Sequence, residues 1–211
     1  MIYLASKSPQ RKALLESLGV DFEVVLPEYR EHDLPGESPD TLVERHSRGK
    51  ALSVLPRVAP RYLSQAILGV DTMVVLEGEA LGKPADEKQA RSYLRMLSGK
   101  THEVYSGVTL ILPGEKDQPG DRAHLRQRTG HSVTLVRLAE LSREDLDAYL
   151  ALGEWRQRAG AYAIQGRASA FVQEVRGDYA NVVGLPVPLL VSFMREADLW
   201  PPVAWGRKVE P

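Results

Sequence analysis

Apolar and polar positions near the start of the chain follow the pattern of a strand, a helix and a second strand. The apolar run 2–5 predicts the first strand. Ser8 followed by Pro9 is typical of a helix start, because serine accepts a hydrogen bond from a free backbone N–H and proline has none to satisfy. Gly19 ends this helix, and residues 22–26 alternate as a second strand. This order predicts an α/β fold.

The same pattern continues to about residue 197, and we predict one domain over 1–197 followed by a tail over 198–211. Residues 27–37 form a polar loop, and residues 113–131 form a long hydrophilic connection. The other predicted elements are helices from Pro39 to about Leu55, from Asp86 to Leu97, from Ser142 to Gly153 and after Pro186, and strands over 65–76, 104–112, 133–138 and 170–175, the first of which turns at 77–79 into a hairpin.

The composition is that of an ordinary globular protein with one core. Of the 211 residues, 43% are hydrophobic and 26% are charged. Because the chain has no cysteine, it has no disulfide or thiolate metal site, and any metal ligand must be oxygen or imidazole.

The charge balance and the apolar runs restrict the partners. With 27 basic and 28 acidic residues, the net charge is −1, so no overall field attracts nucleic acid or an anionic membrane. No apolar run approaches the roughly 20 residues that cross a bilayer. The apolar start at 1–5 is too short for a signal peptide. We therefore expect a cytoplasmic protein with neither a membrane nor a nucleic acid as its partner.

The segment from Ser6 to Arg11 has the features of an anion site. A serine-capped helix start directs free backbone N–H groups and the positive end of the helix dipole toward a ligand. Lys7 and Arg11 add positive charge, and an arginine binds phosphate through two parallel hydrogen bonds. The alternative is that Ser8 is only a helix cap.

Two acidic and two basic residues elsewhere have the chemistry that phosphoryl transfer needs. Asp71 interrupts the most apolar strand, where it either binds a metal in a cleft or accepts backbone hydrogen bonds at a strand irregularity. Glu31 lies in the polar loop, where an acid is by default solvated. Lys50 and Lys83 are by default surface lysines. Together, however, two carboxylates for a hard cation and several fixed cations would suit a phosphate substrate.

A third candidate region is the glycine-framed segment 160–166. Its Gln165 can offer a paired donor and acceptor to the edge of a nucleotide base, and the alternative is a buried structural glutamine. Residues 181–186 are interpreted as a joint between a strand and a helix. The arginines between 122 and 128 are interpreted as a solvated loop, because no aromatic platform for nucleic acid accompanies them.

Taken together and in this order, these segments resemble the Maf family of nucleotide pyrophosphatases from residue 2 to about residue 195. Each motif is weak alone, whereas the set is specific. The matching motifs are LASKSPQRKALLESLG, Glu31, RGKA around Lys50, GVDTMVVLEGEALGKP, LSGKTHEVYSGV, AGAYAIQG and NVVGLP.

The resemblance implies an elongated α/β fold with a mixed sheet, similar to inosine triphosphate pyrophosphatases, in which two lobes surround a central cleft. It implies hydrolysis of a nucleoside triphosphate to a monophosphate and pyrophosphate, and a possible homodimer. Family roles map onto Asp71 and Glu31 as catalytic residues and ligands of Mg²⁺ or Mn²⁺, with Asp71 as the proton acceptor. They map onto Ser8, Arg11, Lys50 and Lys83 for phosphate binding.

Three residues, Gln10, Thr72 and Gln165, bear on the choice of base, and a fourth position, Gln157, lies near the base-binding segment. Thr72 and Gln165 resemble the branch that acts on dTTP and UTP, for which editing of modified pyrimidine nucleotides is a plausible role. Gln10 stands where the family commonly has arginine, at a position that helps to set substrate preference, and Gln157 replaces a common aspartate. The alternatives are a pyrophosphatase for a different base and a nucleotide-binding regulator of cell division without catalysis.

Overall fold

A computed structural model describes residues 1–58, 65–112 and 126–202. These residues form six α-helices, seven strands and two short 3₁₀ segments, Ala159–Ala161 and Arg167–Phe171. The helices are α1 Pro9–Ser17, α2 Pro39–Val58, α3 Glu87–Leu97, α4 Arg143–Leu152, α5 Tyr179–Val183 and α6 Val187–Glu196. The strands are β1 Ile2–Ala5, β2 Phe22–Val24, β3 Ala66–Leu76, β4 Glu79–Leu81, β5 Thr101–Ile111, β6 Gln127–Leu138 and β7 Val172–Arg176.

The strands form one mixed sheet with the order β2-β1-β3-β5-β6-β7, and β4 pairs with β3 as a hairpin. β1 is parallel to both β2 and β3, whereas the pairs β3–β5, β5–β6 and β6–β7 are antiparallel. The predicted α/β fold with a mixed sheet is confirmed. None of the helices in the described ranges is long and apolar enough to cross a membrane.

One edge of β3 contains a gap in the sheet. β5 pairs along the opposite edge from Ile67 to Val75. On the gapped edge, β1 pairs only with residues 66–69 and β4 only with residues 74–76. Over the part of the chain that the structure describes, residues 70–73 therefore have no strand partner on this edge. Asp71, which we predict to lie at a cleft, falls within this gap.

The apolar residues of β3 before and after Asp71 belong to different cores. Leu68 and Val70 pack in a cluster with α1 and α6, whereas Val74 and Leu76 pack in a cluster with α3 and α4. β3 therefore contributes to both of these cores and, through Ile67, to a third core with α2.

The other face of the sheet is covered by α2, which approaches the strands very closely. An ideal Cβ atom built on Gly69 would lie 2.1 Å from the carbonyl oxygen of Ser47, and one on Gly107 would lie 2.2 Å from that of Val43. Hydroxyl groups also join the two layers, since the Oγ atoms of Ser47 and Thr109 are 2.9 Å apart. No other residue type fits these two strand positions without moving the helix.

Most predicted boundaries lie within a few residues of the observed ones, with one clear error. The predicted hydrophilic connection 113–131 is wrong at its end, because β6 begins at Gln127 and pairs with Ile111. Pairing with β5 thus gives these polar residues a strand conformation that their sequence does not predict. Residues 113–125 lie outside the described residues. The predicted domain boundary at residue 197 stays a prediction, and Leu199 and Trp200 pack against the α1–α6 core.

Candidate active site

The gap in the sheet brings together an ion-paired cluster of Glu31, Lys50 and Asp71. The ammonium nitrogen of Lys50 lies 2.5 Å from Oδ1 of Asp71 and 2.7 Å from Oε1 of Glu31. Asp71 is buried on β3, Lys50 is buried on α2, and Glu31 is exposed on the loop between β2 and α2. Two carboxylates from separate parts of the sequence therefore form ion pairs with the same lysine.

The surroundings of Asp71 contradict one of its two interpretations. The pairing of β3 with β5 continues in regular register through Asp71, which lies opposite Gly107. Its carboxylate contacts the ammonium of Lys50. The interpretation as a structural aspartate at a strand irregularity is wrong. Lys50 is only 9% exposed, so its default interpretation as a surface lysine is wrong as well.

Glu31 remains ionised because of its position beside Lys50. Burial raises the pKa of Glu31, but the charge of Lys50 and the hydrogen bond from it outweigh this effect and hold the pKa below its usual value. The negative form of Glu31 is thus stabilised by its contact with Lys50.

Arg11 lies at the same gap but contacts the opposite face of the sheet, because successive strand residues point to opposite faces. Its Nε donates to the carbonyl oxygen of Gly184 at 2.8 Å, and its two terminal nitrogens donate to Ser6 Oγ at 3.1 Å and Thr72 Oγ1 at 3.0 Å. Burial lowers the pKa of Arg11, against the opposing charges of Asp71 and Glu31. A guanidinium has five N–H groups, so some remain for a ligand.

The predicted helix cap beside Arg11 is present. Ser8 is the N-cap residue of α1, and its Oγ accepts from the backbone N–H of Arg11 at 3.4 Å. The loop from Ser6 to Ser8 leaves the sheet where β1 ends opposite Gly69. The helix start therefore lies on the β1 side of the gap.

Lys83 lies on the other side of the gap. It follows β4, whose last residue Leu81 pairs with Val74. Partial burial lowers the pKa of Lys83, Glu31 opposes this effect, and the charge of Lys50 adds to it. Lys83 is exposed and has no ion-pair partner among the described residues, so its charge is available to a ligand.

A pocket of about 270 Å³ contains two of the three predicted specificity residues. Gln10 and Gln165 line it together with Arg158, Tyr162 and Val183. Gln165 is exposed, which contradicts its alternative as a buried structural residue.

Thr72, the third predicted specificity residue, does not line this pocket. Its Oγ1 accepts from Arg11 and is 2.8 Å from Ser106 Oγ. Thr72 therefore belongs to the surroundings of Arg11.

Sequence reasoning missed several residues that support the site. Gly184 lies between α5 and α6 rather than after a strand, so the interpretation of 181–186 as a strand-to-helix joint is wrong. Arg45 and His46 of α2 contact the loop that carries Glu31, both of them at Tyr29. The sequence contained one signal for this contact. Gly49 directly precedes Lys50 within a helix, and a glycine inside a helix often has a packing reason.

The carboxylates of the cluster fit a hard divalent cation. No group of three or more His, Cys, Asp or Glu residues arranged to hold a metal occurs within 1–58, 65–112 and 126–202. Glu31 and Asp71, however, both contact the single ammonium of Lys50, so one cation at that place would reach both. Mg²⁺ is usually bound in this way, by one or two carboxylates and the phosphates of a substrate.

The sequence is similar to those of known pyrophosphatases. A dTTP/UTP pyrophosphatase of Symbiobacterium thermophilum is 43% identical over 195 residues, which cover 92% of this chain and 93% of the relative. A dTTP/UTP pyrophosphatase of Bacillus cereus is 42% identical over 198 residues, which cover 94% and 90%.

Among solved structures, a nucleoside-triphosphatase/dITP/XTP pyrophosphatase of Mycobacterium abscessus has a TM-score of 0.38 at 15% identity, covering 99% of this chain and 98% of that one. This likeness is too low to support an inference. The family model of Maf-like proteins matches residues 1–197. The chain therefore belongs to the Maf family.

Proposed function

We propose that this protein hydrolyses nucleoside triphosphates, with dTTP and UTP as the preferred substrates, to a nucleoside monophosphate and pyrophosphate. The observation that carries the proposal is the contact of Lys50 with both Glu31 and Asp71 at the gap in the sheet. The names of the two similar relatives, both called dTTP/UTP pyrophosphatase, support the choice of substrate.

The residues around the gap divide into a cation site and a phosphate site. Glu31 and Asp71 would hold Mg²⁺ or Mn²⁺, which when bound neutralises phosphate charge and lowers the pKa of water. Ser8 and Arg11 would bind phosphate oxygens from the β1 side of the gap, and Lys83 from the β4 side. A triphosphate that carries several negative charges would thus meet positive groups from both lobes.

In the reaction, a water molecule attacks the α-phosphorus. The bond between the α-phosphorus and the oxygen that bridges to the β-phosphate then breaks. Asp71 accepts the proton of this water, and pyrophosphate leaves with the electron pair of the broken bond. Lys50 and Arg11 stabilise the charge that moves onto the leaving group, since electrostatic stabilisation dominates phosphoryl transfer.

Lys50 has a second role before the substrate binds. In the substrate-free protein its ammonium is the counter-ion of both carboxylates, one of which is buried. If Glu31 and Asp71 held a divalent cation, the ammonium of Lys50 would be available to a phosphate oxygen. The same lysine would then serve the free and the occupied site.

The pocket between Gln10 and Gln165 would receive the base. A glutamine amide offers one acceptor and two donors, which match the carbonyl and N–H edge of uracil or thymine. A pocket of this kind would also admit modified pyrimidines. Arg158 lines the same pocket, beside Gln157, which replaces a common family aspartate.

The experiment is to incubate the protein with a panel of standard and modified nucleoside triphosphates and Mg²⁺ or Mn²⁺, and to identify products by phosphorus NMR. We expect pyrophosphate and monophosphate, with dTTP and UTP cleaved fastest. Orthophosphate with diphosphate would contradict the proposed bond cleavage. Fastest cleavage of a purine nucleotide would contradict the proposed base, and binding without any product would identify a nucleotide-responsive regulator instead.

A further inference from the structure

Glu31 belongs to a segment without regular structure of its own. The chain from residue 25 to residue 38 contains neither helix nor strand. The side chain of Glu31 is 53% exposed, and its hydrogen-bonding contact is with Lys50. Ordering such a segment costs conformational entropy, so something else must hold Glu31 beside Asp71.

Arg45 on α2 contacts this segment at three points. Its Nε and one terminal nitrogen donate to the two carboxylate oxygens of Glu37 at 2.7 and 2.6 Å. The same terminal nitrogen donates to the carbonyl oxygen of His32 at 2.8 Å, and the other donates to the Tyr29 hydroxyl at 3.2 Å. A two-pronged arginine–carboxylate contact fixes direction as well as distance.

His46, the next residue of α2, contacts the segment on both sides of Glu31. Its Nδ1 is 3.0 Å from the Tyr29 hydroxyl, and its Nε2 is 3.3 Å from Oδ1 of Asp33. The rings of Tyr29 and His46 pack edge to face, with centroids 5.6 Å apart. The ring of His46 is only 2% exposed, whereas the side chain of Asp33 is 71% exposed, so the contact with Tyr29 is the more shielded of the two.

Gly49 provides the space in which the Tyr29 ring lies. An ideal Cβ on Gly49 would be 2.2 Å from Cε2 of Tyr29, so the ring packs directly on the backbone of α2. Gly49 immediately precedes Lys50 in sequence. The residues that hold the Glu31 segment are thus on the same helix as the lysine that Glu31 contacts.

We propose that Arg45 and His46, through Tyr29, are positioning residues that hold Glu31 in the active site. They bind the residues on both sides of Glu31 to α2, which is itself held on the sheet at Gly69 and Gly107. Glu31 therefore keeps a fixed distance from Asp71 on β3. This inference rests on the proposed function, in which Glu31 and Asp71 act together on the substrate.

The test is a double-mutant cycle with Arg45→Gln and Glu31→Gln. If Arg45 acts through Glu31, Arg45→Gln lowers kcat for pyrophosphate release about 10-fold or more in the otherwise native protein, since a small misplacement of a catalytic group is costly. The same change lowers kcat less than about 2-fold when Glu31 is already Gln. An equal loss in both backgrounds would overturn the proposal.

A matched control comes from Arg57, on the same helix. Arg57 contacts the start of the same segment, at Glu28 and the carbonyl oxygen of Leu26, but none of the residues next to Glu31. Arg57→Gln should leave kcat within about 2-fold of native. A loss as large as that of Arg45→Gln would show that any weakening of the segment suffices, which contradicts a specific role for Arg45.

A second measurement does not depend on activity. Amide hydrogen exchange over residues 29–33 should become faster in Arg45→Gln and in Tyr29→Phe, and remain native in Arg57→Gln. Unchanged exchange in Arg45→Gln would overturn the proposal even if the protein released no pyrophosphate. The proposed function itself fails only in the product assay, so the two failures are distinguishable.

Discussion

Gly69 lies two positions before Asp71 on the same face of β3, and its missing side chain determines how close α2 comes to Asp71. A Cβ atom at Gly69 would meet the carbonyl oxygen of Ser47 at 2.1 Å and the Cβ of Ala51 at 2.9 Å. Lys50, between these two helix residues in sequence, reaches Asp71 at 2.5 Å. Close packing of helix and strand therefore determines the charged contact.

Gly69→Ala should weaken both the fold and the active site. The added methyl group would push α2 away from β3, at a cost of about 1–3 kcal/mol in the free energy of unfolding. The ammonium of Lys50 would move away from Asp71 with the helix, so pyrophosphate release would fall as well. Urea unfolding and a product assay measure the two effects.

Gly82→Ala is the matched control for the unfolding measurement. No heavy atom lies within 4 Å of a Cβ at Gly82. Its free energy of unfolding should therefore stay within about 0.5 kcal/mol of native. If Gly69→Ala and Gly82→Ala lost similar amounts of free energy of unfolding, crowding between α2 and β3 would not be the cause of the loss.

Asp71→Asn should abolish most turnover while the protein stays folded. Asparagine has nearly the same shape as aspartate but cannot accept the proton of the attacking water, so kcat should fall roughly 100-fold or more. Lys50 would keep Glu31 as an ionic partner. Rates of pyrophosphate release and a thermal unfolding curve test this prediction.

The control for Asp71→Asn is Glu77→Gln. Glu77 is an exposed carboxylate beyond the end of the same strand, and it pairs with Lys100 at 3.0 Å. Removing its charge should leave turnover near native. Full turnover in Asp71→Asn would remove Asp71 from the mechanism.

Lys50→Met should have opposite effects on cation binding and on turnover. Without the ammonium, Glu31 and Asp71 lose their ion-pair partner, so Mn²⁺ should bind to the nucleotide-free protein at least about 10-fold more tightly. Turnover should fall, because the charge on the leaving group loses a partner. Isothermal titration with Mn²⁺ and the product assay measure the two quantities separately.

Lys83→Met is the comparison for the cation measurement, because Lys83 bears the same charge nearby without an ion pair in the described structure. It should tighten Mn²⁺ binding clearly less than Lys50→Met does. Equal tightening would mean that only general charge matters and that Lys50 does not occupy the cation's place.

His102 should make stability depend on pH in mildly acidic solution. Burial lowers the pKa of His102 to about 4, and its Nε2 lies 2.8 Å from the Tyr162 hydroxyl. Between pH 4 and the ordinary value of about 6.5, the unfolded chain binds a proton that the folded protein does not. The free energy of unfolding therefore falls as the pH drops through this window, by at most roughly 3 kcal/mol.

His102→Gln should remove this dependence. Urea unfolding at several pH values between 4 and 7 gives the comparison, and the difference between the native and variant curves isolates His102 from the carboxylates. Parallel curves would show that His102 does not take up its proton on unfolding.

Much of the fold was predictable because it rests on local patterns. Two helix starts depend on nearby atoms alone, and both are present as predicted. One is the start of α1 at Ser8 and Pro9, and the other is the start of α4, where Ser142 pairs with Asp145. The strand at β3 was predictable from its apolar run. The start of β6 was not, because Gln127 is polar and its strand conformation comes from pairing with β5.

In the active site, too, some features were predictable from the sequence and others depended on the tertiary structure. The sequence by itself determined the family and the residue types, since carboxylates, lysines and a capped helix start keep their chemistry wherever they lie. Only the tertiary structure decided that Lys50 is buried against Asp71, that Arg11 and Asp71 lie on opposite faces of one gap, and that Thr72 belongs with Arg11 rather than with Gln165. These relationships depend on which strands pair and how closely α2 packs on two glycines, and such long-range contacts leave no local pattern in the chain.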